Sequence, residues 1–98
     1  MDYRIIQSPT KGTVDAISKR VHPAAFQSVE KFDAIGLIQG RMLDMFYAMD
    51  IAEKSAGVTV LDVKGSCPQN MILIAVFGDI ASVESALDTV KKALKKER

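Results

Sequence analysis

Residues 34–63 read AIGLIQGRMLDMFYAMDIAEKSAGVTVLDV, and this stretch decides the fold class of the chain. Its first five residues form a short apolar run typical of a buried strand, and its last six are rich in the β-branched residues that favour strands. Between them, residues 43–55 have the length and composition of a helix, and Gly57 is placed to cap its C-terminus. Strand, helix and strand within about thirty residues predict a βαβ unit.

A second apolar segment, residues 71–77, follows a loop at 64–70. All seven of its residues are apolar, which is typical of a central strand covered on both faces. Gly78 and Asp79 then supply a turn and a helix N-cap. We predict a last helix to about residue 96, because apolar residues recur there at spacings of three and four. Those residues are Ile80, Val83, Leu87, Val90 and Leu94.

The N-terminal third carries weaker signals. Residues 3–7 are β-prone and are followed by a turn cluster at 8–12. The alternation within residues 13–20 favours a strand. His22 and Pro23 then break the chain, and Pro23 suits the first turn of a short helix through Phe32. With no linker between these segments, the chain is expected to fold as one α/β domain.

Charge and composition exclude several classes of protein. The 98 residues contain thirteen Lys and Arg against twelve Asp and Glu, which leaves a net charge of +1. A nucleic-acid-binding domain is normally far more basic, so no nucleic-acid partner is expected. The longest apolar run is far below the ~20 residues that a membrane-spanning helix needs, and no secretory signal is recognisable at the start. The sequence therefore predicts a cytosolic protein without a membrane partner.

Reactive side chains are few, since the chain has one Cys, Cys67, and one His, His22. A single Cys cannot form an internal disulfide, and no motif supports a Cys–His pair. No glycine-rich loop has the spacing of a phosphate-binding loop. His22 lies at a predicted helix start and is interpreted as a surface residue rather than a ligand. No catalytic residues are predicted, and the chain is not expected to be an enzyme.

The helix predicted at 43–55 is apolar nearly all round. Its apolar residues are Leu43, Met45, Phe46, Tyr47, Ala48, Met49, Ile51 and Ala52. In a small domain the sheet covers only one face of such a helix. Either Met45 and Tyr47 are merely half exposed, or a neighbouring subunit covers the second face. The rarity of large exposed apolar patches on monomers favours the subunit interface.

From residue 33 to residue 94 the chain resembles the bacterial microcompartment shell domain. The resemblance is carried by AIGLI at 34–38, AMDIAEKSAGV at 48–58, the loop beginning Gly65-Ser66, and GDIASVESAL at 78–87. In most members the domain begins near the first of these motifs and ends with a further strand and helix. Here those elements are expected at the front, as in the circularly permuted members of the family.

The resemblance implies an α/β (α+β) fold of ferredoxin-like topology with circular permutation and a mostly antiparallel central sheet. The single domain, 1–98, would comprise three parts. An N-terminal extension, 1–12, contributes a short extra strand on one face of the assembly. Residues 13–32 supply the permuted strand and helix, and residues 33–96 form the main βαββα portion.

Members of this family form cyclic hexamers that tile into a shell around enzymes within the bacterial cytoplasm. The resemblance therefore implies a homo-hexamer that contacts other shell proteins, with the encapsulated enzymes as further candidate partners. It places Lys54 at the hexamer edge, although the Asn that often follows three residues later is Gly57 here. The alternative hypothesis is a dimeric ligand-binding regulatory module of ferredoxin-like topology.

The expected pore loop departs from the usual Gly-Ser-Gly pattern of the family. It contains Gly65, Ser66, Cys67, Pro68 and Gln69. This loop resembles that of permuted shell proteins from glycyl-radical propanediol-type microcompartments, in which the Cys is associated with iron–sulfur cluster binding. The resemblance implies that Cys67 is an iron ligand and that a [4Fe–4S] cluster is shared between subunits at the pore, as an electron relay or redox gate.

Overall fold

The computed structural model describes residues 1–65 and 71–96, except for the side chain of Lys96. In chain order its elements are β1 (Asp2–Gln7), α1 (Lys11–Ser18), α2 (Pro23–Gln27), β2 (Ala34–Arg41), α3 (Met42–Glu53), β3 (Val58–Val63), β4 (Met71–Gly78) and α4 (Ile80–Lys96). The four strands form one sheet in the order β1-β2-β4-β3, and every neighbouring pair is antiparallel. This mixed α/β architecture confirms the predicted fold class.

The predicted βαβ unit is present in a split form. Strands β2 and β3, which α3 connects, run parallel to each other but are not neighbours. Strand β4 lies between them, so that Ala75 pairs with Leu37 on one side and with Leu61 on the other. The helical crossover leaves a gap one strand wide, and the apolar segment that follows β3 fills it.

Strand β4 is covered on both faces, as its uninterrupted apolar run predicts. Ile74 and Val76 belong to the core beneath α3 and α4. Ala75 and Phe77 belong to a second core on the opposite face. There the rings of Phe26 and Phe32 pack edge-on against Phe77, with centroids 6.1 and 5.1 Å away. The chain before β2 therefore covers the face of the sheet that α3 and α4 leave open.

The strand predicted at residues 13–20 is wrong, because this segment forms helix α1. The Thr10 side chain caps the helix by accepting a hydrogen bond from the Thr13 amide at 3.2 Å. A strand would point Val14 and Ile17 to opposite faces, whereas a helix brings both to the same face. Both pack against the second core together with the buried Val21.

Two further N-terminal predictions need correction. The helix predicted from Pro23 to Phe32 is only five residues long and ends at the C-cap Ser28, whose hydroxyl donates to the Ala25 carbonyl at 2.6 Å. The N-terminal strand β1 is not an addition outside the sheet, since it pairs with β2 along its whole length. The strand expected within residues 13–32 is thus supplied by β1.

The signals at the helix ends are largely confirmed. The Asp79 carboxylate caps α4 by accepting from the Ser82 amide at 2.8 Å and from the Ser82 hydroxyl at 3.1 Å. Helix α3 ends at the C-cap Lys54 rather than at Gly57. Gly57 lies just beyond and has a φ of 79°, the left-handed conformation that glycine adopts without strain. It turns the chain from α3 into β3.

Gly36 permits the close approach of α4 to the sheet and provides a test of this packing. A Cβ atom at position 36 would lie 2.6 Å from Leu87 Cδ1 and 2.9 Å from Val83 Cγ1, both on buried side chains. We expect Gly36→Ala to lower the free energy of unfolding by about 1–3 kcal/mol. The matched control is Gly12→Ala in α1, where a Cβ meets nothing within 4 Å.

Gly12→Ala is expected to be neutral or to stabilise the fold by up to about 1 kcal/mol, because alanine favours helix. Chemical denaturation of both variants measures the difference. Equal stability of the two alanine variants would contradict this account of the packing between α4 and the sheet.

Candidate functional site

The loop expected to line a pore connects two neighbouring antiparallel strands, so its described ends meet at one end of the sheet. Strand β3 ends at Val63, β4 begins at Met71, and Val63 pairs with Leu73. The Lys64 amide donates a hydrogen bond of 2.6 Å to the Arg20 carbonyl, which anchors the start of the loop to the segment between α1 and α2. The sequence pattern did not indicate this anchor, since the two residues are far apart in the chain.

The predicted pore residues fall in two groups. Gly65 is described and exposed to solvent, and a Cβ atom there would meet nothing within 4 Å. Ser66, Cys67, Pro68 and Gln69 lie outside the described residues, and with them the predicted iron ligand. Within the described part of the chain, no group of three or more His, Cys, Asp or Glu side chains is arranged to hold a metal ion.

Helix α3 has two apolar faces, as its composition predicts. Met45, Ala48 and Ala52 are fully buried in the core between α3, α4 and the sheet. On the other side, large apolar side chains face solvent. Leu43 is 83% exposed, Phe46 59%, Tyr47 41% and Met42 40%. An isolated chain leaves this outer face of α3 uncovered, which is the property expected of a subunit interface.

The structure separates the apolar residues of α3 between its two faces. Met45 is 0% exposed and is a core residue, because its side chain reaches Gly40 on β2. Phe46 and Tyr47 belong to the outer face. Leu43, the most exposed of the large apolar side chains on α3, joins them. A helix that is apolar all round gives no sequence signal for which residues face the sheet.

Lys54, the predicted edge residue, is the C-cap of α3 and is exposed. Its ammonium group lies 2.7 Å from Oδ2 of Asp50, one helical turn earlier. This hydrogen bond, and the negative charge of Asp50, raise the pKa of Lys54 above its ordinary value. An ammonium group has three donors. The ion pair with Asp50 leaves donors of Lys54 available for a second acceptor.

The sequence departs from the family pattern at Gly57, three residues after Lys54, and the structure gives a reason for this. Gly57 has a positive φ, and a Cβ atom there would lie 2.7 Å from the Ser82 hydroxyl oxygen. A residue with a Cβ atom, such as the Asn often found at this position, would require the Ser82 hydroxyl to move, and that hydroxyl donates to Asp79 at 3.1 Å. The packing of the α3–β3 turn on the start of α4 thus accounts for glycine at this position.

His22 is a capping residue, in agreement with the interpretation of it as a surface residue. Its side chain accepts a hydrogen bond from the Ala24 amide, with 3.2 Å between Nδ1 and the nitrogen, at the N-terminus of α2. The ring is exposed. In the described part of the chain, no helix is long and apolar enough to cross a bilayer.

Comparison with known proteins identifies the class to which this fold and surface belong. The family model of the BMC domain matches residues 34–98. The GrpU microcompartment shell protein from Clostridiales bacterium 1_7_47FAA, in a ligand-free structure, is 49% identical, with 97% of this chain and 93% of that chain covered and a TM-score of 0.75. GrpU from Pectobacterium wasabiae, also ligand-free, is 30% identical over 92% of this chain and 99% of its own, with a TM-score of 0.74.

A more distant structure shares the fold. The fused permuted hexameric shell protein of the RMM microcompartment is 15% identical, with a TM-score of 0.70, and 96% of this chain is covered against 45% of that chain. No curated protein matches the chain.

The chain belongs to the BMC-domain family of microcompartment shell proteins. Proteins of this family are structural rather than enzymatic, in agreement with the prediction from the sequence. The chain is thus a structural subunit of the shell of a bacterial microcompartment, within the cytoplasm. This assignment favours the shell subunit over the dimeric regulatory module.

Proposed function

We propose that six copies of the chain form a cyclic homo-hexamer in the shell, with the outer face of α3 buried between neighbouring copies. The exposed apolar row on α3 carries this proposal, because Leu43 and Phe46 are mostly exposed in the isolated chain. Closed cyclic symmetry lets each subunit present the same two surfaces to its neighbours. The membership of the chain in a family of shell proteins supports the assembly.

We further propose that the loop containing residues 65–69 lines the axis of this hexamer and that Cys67 binds iron there. The number of thiol ligands that the chain offers decides whether an iron–sulfur cluster fits it. The chain has one thiol, and its described part holds no metal-binding group of its own. An iron–sulfur cluster normally needs three or four thiolates. A [4Fe–4S] cluster therefore fits this chain only where rotational symmetry brings several copies of Cys67 together.

The protein contributes the thiol and a loop whose described ends are fixed. The loop leaves the sheet and returns to it on adjacent strands, and the Lys64–Arg20 backbone hydrogen bond holds its first residue. A bound cluster supplies one-electron redox chemistry. The pore then serves as an electron relay or redox gate rather than as an open metabolite channel.

Charged substitutions on α3 test the assembly. Phe46→Asp and Leu43→Asp place a charge on a surface that is exposed in the chain and buried in the hexamer, where an unpaired charge is costly. We expect both variants to fold, with unchanged circular dichroism, and to lose the mass of six chains in light scattering. The matched control is Glu84→Gln on the exposed side of α4, which should remain hexameric.

Met45→Asp distinguishes the core side of the same helix. Because Met45 is 0% exposed in the single chain, we expect this variant to unfold rather than to dissociate as a folded subunit. If Phe46→Asp and Leu43→Asp both remain hexameric, the outer face of α3 is not the interface.

The iron site is tested by spectroscopy of anaerobically purified protein. We expect a brown protein with broad visible absorbance, and Cys67→Ser is expected to abolish the colour while the hexamer persists. Lys64→Gln keeps both the thiol and the backbone amide that anchors the loop, and it serves as the control that should remain coloured. Colourless wild-type protein after anaerobic reconstitution with iron and sulfide would rule out the cluster and leave the hexamer proposal intact.

We propose that Lys54 contributes to contacts between hexamers rather than to folding. Lys54→Ala removes an exposed ion pair, and such pairs contribute little to stability. We expect a nearly unchanged melting temperature and an intact hexamer, with impaired formation of two-dimensional sheets in electron microscopy. Lys92→Ala, which removes the comparable ion pair with Asp88, is the control. If Lys54→Ala forms unaltered sheets, Lys54 has no role in contacts between hexamers and only pairs with Asp50 at the end of α3.

A further inference from the structure

A cavity of about 660 Å³ lies at the base of the β3–β4 loop. It is formed by the segment between α1 and α2 together with the residues that follow β3. Its lining includes Lys19, Arg20, Val21, His22, Pro23 and Lys64. The volume is within the range of small-molecule binding sites in proteins, about 300–1,000 Å³.

The two walls of this cavity are fixed to each other. The Lys64 amide donates to the Arg20 carbonyl at 2.6 Å, which joins the end of β3 to the α1–α2 segment. Val21, between the cationic residues, is 5% exposed and belongs to the core on this face of the sheet. The charged side chains thus project from a backbone that packing and hydrogen bonding hold in place.

Positive charge is concentrated in this cavity although the whole chain is nearly neutral. Three cationic side chains, Lys19, Arg20 and Lys64, line it, and the described residues of its lining include no acidic one. The ion pairs observed in the described part of the chain involve other lysines, as in the pair between Lys11 and Asp15. Cations without an acidic neighbour in a shared concavity produce a field that attracts anions.

The hydrogen-bond donors around the cavity match a group with several anionic oxygens. The Arg20 guanidinium uses one nitrogen to donate to the Ala16 carbonyl at 2.8 Å, and the remaining N–H groups of its planar fork are not used by that bond. Nδ1 of His22 accepts from the Ala24 amide, so in the neutral ring the proton is on Nε2, which is a donor. Lys19 and Lys64 add ammonium donors from the two walls.

We propose that this cavity binds a small phosphorylated molecule, with its phosphate group between Lys19, Arg20 and Lys64. Arg and Lys together are the side chains that recognise phosphate oxygens. A phosphate ion alone occupies only a fraction of the volume, and the exposed Pro23 offers apolar surface to an organic part of the ligand. This inference goes beyond the proposed function, because it holds whether or not Cys67 binds a cluster.

Titration calorimetry on the assembled wild-type protein tests the site, with inorganic phosphate and glycerol 3-phosphate as probes and glycerol as the uncharged control. We expect saturable binding of the phosphate ester with one site per chain, tighter than inorganic phosphate and weaker at high salt, and no binding of glycerol. Equal affinity for the two phosphates would overturn the assignment of an organic ligand. The absence of saturable binding for both would overturn the site itself.

Substitutions of the lysines that line the cavity test whether the ligand binds there. Lys64→Gln and Lys19→Gln should each lower the affinity for the phosphate ester by about tenfold, which is the loss expected for one charge-assisted hydrogen bond. The charge-matched control is Lys92→Gln on α4, which packs on the opposite face of the sheet and should change affinity less than twofold. An equal loss in all three variants would show a response to net charge alone and would overturn the proposal. Light scattering on each variant shows whether it is still hexameric, so that a loss of binding can be distinguished from a loss of assembly.

Discussion

The burial of strand β4 on both faces is the constraint on which the rest of the structure depends. Its residues alternate between two cores, so that Ile74 packs under α3 and α4 while Phe77 packs under the N-terminal segment. Two covering layers are therefore required. The family match begins at residue 34 and contains only one of them. Residues 1–33 supply the edge strand β1 and the second layer, which completes the same fold from the other end of the chain.

A second consequence concerns assembly. A chain of this size has one sheet with which to cover its helices, and α3 has more apolar surface than that sheet can bury. The same limit applies to the proposed iron–sulfur site, because one thiol per chain cannot complete such a site. In the proposed hexamer, repeated copies of the subunit would cover the exposed face of α3 and bring several thiols together.

The nearly neutral composition conceals local charge. Thirteen basic and twelve acidic residues balance over the whole chain. Along the helices the balance is also local, with lysines paired one turn after an aspartate, as in Lys54 with Asp50 and Lys92 with Asp88. The cavity beside the loop is different, because its cations come from segments distant in the chain and no acidic residue is among the described residues that line it. Net charge alone is a poor guide to such a site.

Local signals in the sequence were sufficient for residues 34–65 and 71–96. Apolar patterning, segment length and the cap at Asp79 predicted β2, α3, β3, β4 and α4. The predictions of these strands and helices are confirmed, because the length and apolar pattern of each segment favour one type of element over the other. The family motifs also selected Lys54 and the loop with Cys67 as functional residues, and those assignments stay predictions.

Tertiary structure alone decided three matters. Residues 11–18 became a helix because Val14 and Ile17 had to cover the same uncovered face of the sheet, a requirement that comes from Phe77 far along the chain. Met45 faced the core and Phe46 the solvent, since α3 is apolar all round and only its contact with the sheet distinguishes its sides. Lys64 and Arg20 met at one cavity through a backbone hydrogen bond between distant segments. Each outcome depends on contacts between residues remote in sequence, which local composition and spacing do not encode.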